Sequence, residues 1–188
     1  MTFFPRDAPV PVEKRTDRLF LRPLRATDAE RDYDAVMSSA GMLRTWSQSD
    51  WPSDDFTLAE NLDDLKRHER EHEERVAFTY TVLDPAGTRC LGCVYLTPVA
   101  PQAQAVCEGA GRAVNAGFWV RASELPGGLE RHLFDCLRAW LKTEWGFDCV
   151  VFAVSGQERR QAALLAESGL LLRATWTMED GRTRCAYR

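Results

Sequence analysis

A chain of 188 residues, 45% of them hydrophobic, is long enough to bury one core, which fits a single domain with a short appendage. A net charge of -4 and an isoelectric point near 5.5 argue against general nucleic-acid binding. No apolar run approaches the ~18 residues of a membrane span, and the first residues lack a signal-peptide apolar region, so a cytoplasmic protein with no nucleic-acid or membrane partner is expected.

Residues 1–15, rich in proline and charge, are expected as a surface arm, with one domain over 16–188. RLFLRPL (18–24) alternates apolar and polar residues and predicts a strand. Thr27 and Glu30 have capping-box spacing for a helix through about Ser39, with Gly41 as its stop. RTWSQSDWPSDD (44–55) has turn composition. Thr57 and Glu60 form a second capping box, and Leu58, Leu62 and Leu65 give the next helix one apolar stripe. Its charged tail, with His68 and His72, reads as a solvated helix end.

RVAFTYTVLD and RCLGCVYLTPV predict two strands around the turn Asp84-Pro85-Ala86-Gly87. The small residues of 100–111 predict a mobile loop, and AVNAGFWVR the next strand. Leu129, Leu133, Leu137, Trp140 and Leu141 then make the buried face of a helix, with Arg131, Asp135, Arg138 and Lys142 outward. CVVFAVS reads as a buried strand, QERRQAALLAES as a helix stopped at Gly169, and the last two strands as a hairpin around Asp180-Gly181. The order β-α-α-β-β-β-α-β-α-β-β predicts an α/β domain with a mixed sheet.

The six cysteines include a C-x-x-C, Cys90 and Cys93. Three-residue spacing in a strand points two side chains to opposite faces. The expectation is therefore reduced core thiols and no metal site.

The junction ELPGGLERHLFDCLRAWL (124–141) carries the functional question. A helix N-terminus offers unpaired N–H groups and a positive dipole end, and glycines let backbone donors close around a phosphate. A Pro-Gly-Gly turn that only caps a helix is the other reading.

TDRLFLRPLRATDAE, LGCVYL after its D-x-x-G hairpin, GFWV and LLAESGLLL, taken in that order, resemble the GNAT superfamily of acyl-CoA-dependent N-acetyltransferases. Within it, the branch acting on N-termini of ribosomal proteins and related small amines is the most similar. The resemblance spans about 16–188 and implies a central mixed, mostly antiparallel sheet flanked by helices. It implies acetyl-CoA as co-substrate and direct acetyl transfer to a primary amine, on a small molecule or a protein N-terminus. On the cofactor side it places Trp119, Val120 and Arg121 on the pantetheine strand. It puts Leu125, Pro126, Gly127, Gly128, Leu129, Glu130 and Arg131 at the pyrophosphate, and Glu158 at a cofactor-contacting Asn position. Of the family pattern Gln/Arg-x-x-Gly-x-Gly/Ala only Gly128 matches. Leu125 and Glu130 replace the usual residues, and Pro126 has no N–H to donate. Glu130 in a first helical turn would repel a phosphate, with Arg131 as the cation available to offset it.

Acetyl transfer needs a neutral amine, an oxyanion donor and a way to stabilise the thiolate. Asn115 stands where an acidic residue is common and can orient a substrate but not act as a base. Glu108 is the candidate base, and Ser155 the candidate donor to the leaving thiolate, or else a helix cap. His132 reads as an ordinary helical histidine. The resemblance assigns the loop with Trp46, Asp50 and Trp51 to the acceptor wall. There the indoles hold an amine and Asp50 reads its charge, or both rings simply pack the loop. The first reading is thus an N-acetyltransferase. The alternatives are a non-catalytic binding or regulatory module on the same fold and a dimerisation role for the Trp-bearing loop, with a homodimer as a possible assembly.

Overall fold

The computed structural model describes residues 3–188. Its strands are β1 (Lys14–Arg15), β2 (Phe20–Pro23), β3 (Phe78–Leu83), β4 (Cys90–Thr97), β5 (Ala113–Val120), β6 (Cys149–Ser155), β7 (Leu172–Thr177) and β8 (Thr183–Tyr187). Its helices are α1 (Ala29–Met37), α2 (Ala40–Ser47), α3 (Leu58–Glu73), α4 (Leu129–Thr143) and α5 (Arg159–Glu167). The strands form one sheet in the order β1-β2-β3-β4-β5-β6-β8-β7, antiparallel throughout except for the parallel β5–β6 pair.

Period-two alternation along β5 separates the layers. Val114, Ala116, Phe118 and Val120 join the core under α4 and α5, and Trp119 joins the one under α1, α2 and α3. On the first side Leu129, Leu133, Leu137, Trp140 and Leu141 of α4 are all buried, as their spacing predicts. The Thr57–Glu60 box forms as expected, with Thr57 Oγ1 accepting from Glu60 N at 3.2 Å and Glu60 Oε2 accepting from Thr57 N at 2.7 Å. Gly169 stops α5 at φ +83°.

Several local expectations are corrected. Thr27 and Glu30 make no box, because Arg22 of β2 clamps both carboxylate oxygens of buried Asp28 at 2.6 and 2.7 Å and residues 26–28 become a 3-10 turn. Gly41 lies inside α2, which runs on into the predicted turn through Ser47. There the packing of Leu43, Met42 and Trp46 onto the sheet outweighs glycine's poor helix propensity. The N-terminal segment straps the core rather than standing off it. Phe4 is 1% exposed between Phe78 and Trp145, Arg75 donates to the Ala8 carbonyl at 2.8 Å, and the Tyr80 hydroxyl donates to Pro11 O.

Cys90 and Cys93 share one face, because a bulge opposite Val82/Leu83 resets the alternation of β4. At that bulge Gly92 passes so close to the Trp119 carbonyl that a side chain would collide with it. Residues 101–107 form a 3-10 segment instead of a mobile loop, and Cys107 is disulfide-bonded to Cys149 on β6, 42 residues away. His68 and His72 turn inward against Tyr95 and Phe78, and burial lowers the pKa of both. Among the described residues no helix is long and apolar enough to cross a membrane.

Candidate ligand groove and cavity

Strands β5 and β6 pair only over Ala113–Asn115 and Cys149–Val151, and beyond that point their ladder ends. Side chains supply the hydrogen bonds the ladder stops making. Asn115 sits at the fork, donating to Thr97 Oγ1 at 3.1 Å and accepting from the Ala153 N–H at 3.1 Å. Buried Gln161 reaches from α5 to donate to the Phe118 carbonyl at 2.8 Å.

On the α4–α5 side a carboxylate stands in the first turn of α4. Gly128 caps α4 at φ +69°, a left-handed conformation that suits glycine, and the Gly127 carbonyl accepts from Arg18 at 2.9 Å. In the first turn Glu130 is buried, accepting from Gln161 Nε2 at 3.0 Å and Arg160 Nη1 at 2.7 Å. Burial raises the Glu130 pKa, and Gln161 and Arg160 oppose that shift. Glu158 caps α5, accepting from Gln161 N at 3.4 Å, and its carboxylate lies 3.5 Å from Arg160 Nη2. Arg131, the cation expected beside Glu130, points away to Glu167 at 2.6 Å, because outward positions of α4 face solvent and the α5 C-terminus.

Several of the side chains expected beside a cofactor are otherwise engaged. Leu125 packs into the core, and Val120 lies in the α4-side core. Trp119 is buried in the opposite layer with its indole N–H on the Tyr95 hydroxyl at 3.2 Å. Arg121 is buried too, donating from Nε to the Cys90 carbonyl at 3.0 Å and pairing with Asp34. A diphosphate at this turn would meet the Glu130 carboxylate and find no N–H at Pro126. A pantetheine arm would find the Phe118 carbonyl taken. Against these side chains, the first-turn N–H groups of Leu129, Glu130 and Arg131 remain as donors that a phosphate can meet.

On the other side of the sheet a cavity of about 820 Å³ opens beside the fork. Trp46, Tyr95, Asn115, Gly117, Trp176 and Arg184 are among its walls. Trp46 lies 5.8 Å from Tyr95, centroid to centroid. Arg184 of β8 donates to the Ser47 carbonyl at 2.8 Å and the Trp46 carbonyl at 3.5 Å, which ties down the C-terminus of α2. Burial lowers the Arg184 pKa.

Of the residues singled out in the sequence, only Trp46 and Asn115 meet at this cavity. Ser155 is buried outside its walls, donating to Gln48 Oε1 at 3.3 Å and accepting from Gln157 N at 3.1 Å. Glu108 is exposed beyond the disulfide, Asp50 is exposed in the loop after α2, and Trp51 packs on Phe56. None of these three lines the cavity. Sequence reasoning missed Arg184, Trp176, Arg160 and Gln161. Gln161 had a signal: a polar residue on the i, i+3, i+4 stripe with Leu164 and Leu165 demands a buried partner.

No family model matches the chain, and no curated protein is similar to it in sequence. Solved structures are similar in shape. An apo ribosomal L7/L12 α-N-protein acetyltransferase, RimL, superposes at TM-score 0.73 with 15% identity, over 98% of this chain and 97% of that one. The ribosomal-protein-S5-alanine acetyltransferase of Vibrio fischeri gives 0.71 with 16% identity over 94% and 95%. Mycobacterium smegmatis RimJ, in complex with a CoA-disulfide, gives 0.72 with 17% identity over 90% and 80%. Near-complete coverage at these TM-scores, with a mixed eight-stranded sheet flanked by helices, gives this chain the GNAT acetyltransferase fold.

Proposed function

We propose that this chain is a ligand-binding protein on the N-acetyltransferase fold, one that keeps the cavity beside β5 and has its acyl-CoA groove closed by its own side chains. The observation that supports this is the buried Glu130 carboxylate in the first turn of α4, held by Arg160 and Gln161. That carboxylate complements the helix dipole where a diphosphate would otherwise do so.

Acetyl transfer from acetyl-CoA to an amine, on a small molecule or a peptide N-terminus, is the second reading. The cavity favours it by opening at the β5–β6 fork beside Asn115, as do the similar structures, which are named as ribosomal-protein acetyltransferases. It requires Glu130, Arg160 and Gln161 to part.

Calorimetric titration with acetyl-CoA separates the two. No binding by the unaltered protein at near-millimolar ligand is expected, with measurable binding after Glu130→Gly, which leaves Arg160 free to meet a phosphate. Tight binding by the unaltered protein, with thiol release across a panel of amines, would overturn the first reading in favour of the second.

A further inference from the structure

Arg184 holds a cation in the cavity wall that makes no ion pair among the described residues; Asp180, whose charge acts on it from the next turn, is itself paired with Arg182. The Arg184 guanidinium is half-buried and donates only to two neutral carbonyls, those of Trp46 and Ser47. Among the described residues no carboxylate lies within 4.0 Å of it. The neighbouring Arg182 differs, since it is matched by Asp180 at 2.6 Å. Glu179 and Asp180, the carboxylates on the cavity rim, sit exposed in the β7–β8 turn. A partly desolvated guanidinium gains most from a carboxylate that can accept two hydrogen bonds at once.

The rest of the cavity sets the shape of the guest. Trp46 lies across β5 at Gly117, 3.8 Å from where a side chain there would begin, and its ring leans on Tyr95. Trp176 and Met178 line the cavity from the β7 side. Asn115 and Thr97 bond to each other across β4 and β5, so their polarity is largely spent. An ammonium finds no buried carboxylate among these walls, and Asp50 is not one of them.

We propose that the cavity takes a flat organic anion, an aromatic carboxylate whose ring lies among Trp46, Tyr95 and Trp176 and whose carboxylate is held by Arg184. This rests on reading the cavity as a ligand site, and it names the ligand's charge and shape.

Three probes share one ring and differ in charge: indole-3-acetate, indole-3-acetamide and tryptamine. Calorimetry on the full chain is expected to show the carboxylate binding about tenfold tighter than the neutral amide, with the amine weakest. Arg184→Gln should abolish that preference by weakening the carboxylate more than the amide, whereas Arg184→Lys should keep part of it. Because Arg184 also fastens α2, the readout is the ratio of the two affinities, which a slackened wall alone leaves unchanged. Should the substitution unfold the protein, the unaltered chain still decides, because added salt must weaken the acetate and not the amide. Equal or tighter binding of tryptamine overturns the anion inference and leaves the ligand site standing. Equal weakening of all three by Arg184→Gln, or no binding of any of them, also overturns it. The reading beneath fails separately, through acetyl-CoA binding with turnover.

Discussion

The two sides of the β5–β6 fork treat buried charge in opposite ways. On the α4–α5 side Glu130 meets Arg160 at 2.7 Å and Gln161 at 3.0 Å, and Gln161 in turn satisfies Phe118. On the α2 side Arg184 hydrogen-bonds to carbonyl dipoles, and Asp32 of α1 is buried beside two like charges, Asp28 and Asp64. A closed polar network needs nothing from outside. An open one is where a ligand or a proton has most to contribute.

The largest expected effect tests the open side. Burial, with repulsion from Asp28 and Asp64, raises Asp32 to about 6 against hydrogen bonding from Asn61. A folded value above the unfolded one means that folding takes up a proton between about 4 and 6. Stability therefore falls as pH climbs through that window and stays lower above it. Asp32→Asn should accordingly stabilise the protein by about 3 kcal/mol at pH 8 and by little at pH 4, read from urea melts at the two values. An equal effect at both would show that the acid is already neutral or well solvated.

The closed side should break asymmetrically. Arg160→Ala leaves a buried carboxylate unpaired and should cost about 2 kcal/mol at pH 8, the loss shrinking in acid as Glu130 takes up a proton. Glu130→Ala leaves a cation that is one-third exposed and close to Glu158, and should cost about 1 kcal/mol. A larger loss from Glu130→Ala than from Arg160→Ala would mean the network is held by something other than charge. Smallest is Arg131→Ala. Its pair with Glu167 is exposed at 48% and 65%, so the unfolding free energy from urea melts should change by less than about 0.5 kcal/mol. A greater change would mean that Arg131 does more for the fold than this exposed pair.

Much of the fold was readable because it repeats locally. The stripe of α4, the Thr57–Glu60 box and the alternation of β5 each lie within one short window of sequence. What was hidden depends on distant partners. The bulge beside Gly92 is set by β3 and β5, Phe4 finds its place only against Phe78 and Trp145, and Gly41 stays helical because Leu43 and Trp46 reach the sheet. The site divides in the same way. Glu130 stood out as the wrong letter for a phosphate loop, but its partners lie about thirty positions on, in α5. Arg184 borders a cavity shared by segments from α2 to the last hairpin, which no local pattern announces.

Pro101, Gln102 and Ala103 form part of the cavity wall, and four residues later Cys107 is stapled to Cys149 on β6. The wall and the bond thus share one short 3-10 segment, Pro101–Cys107. If reducing the bond slackens that wall and weakens a guest by some factor, the guest must protect the bond from reduction by the same factor. Occupancy of the cavity and the thiol chemistry of its surroundings become two readings of one equilibrium.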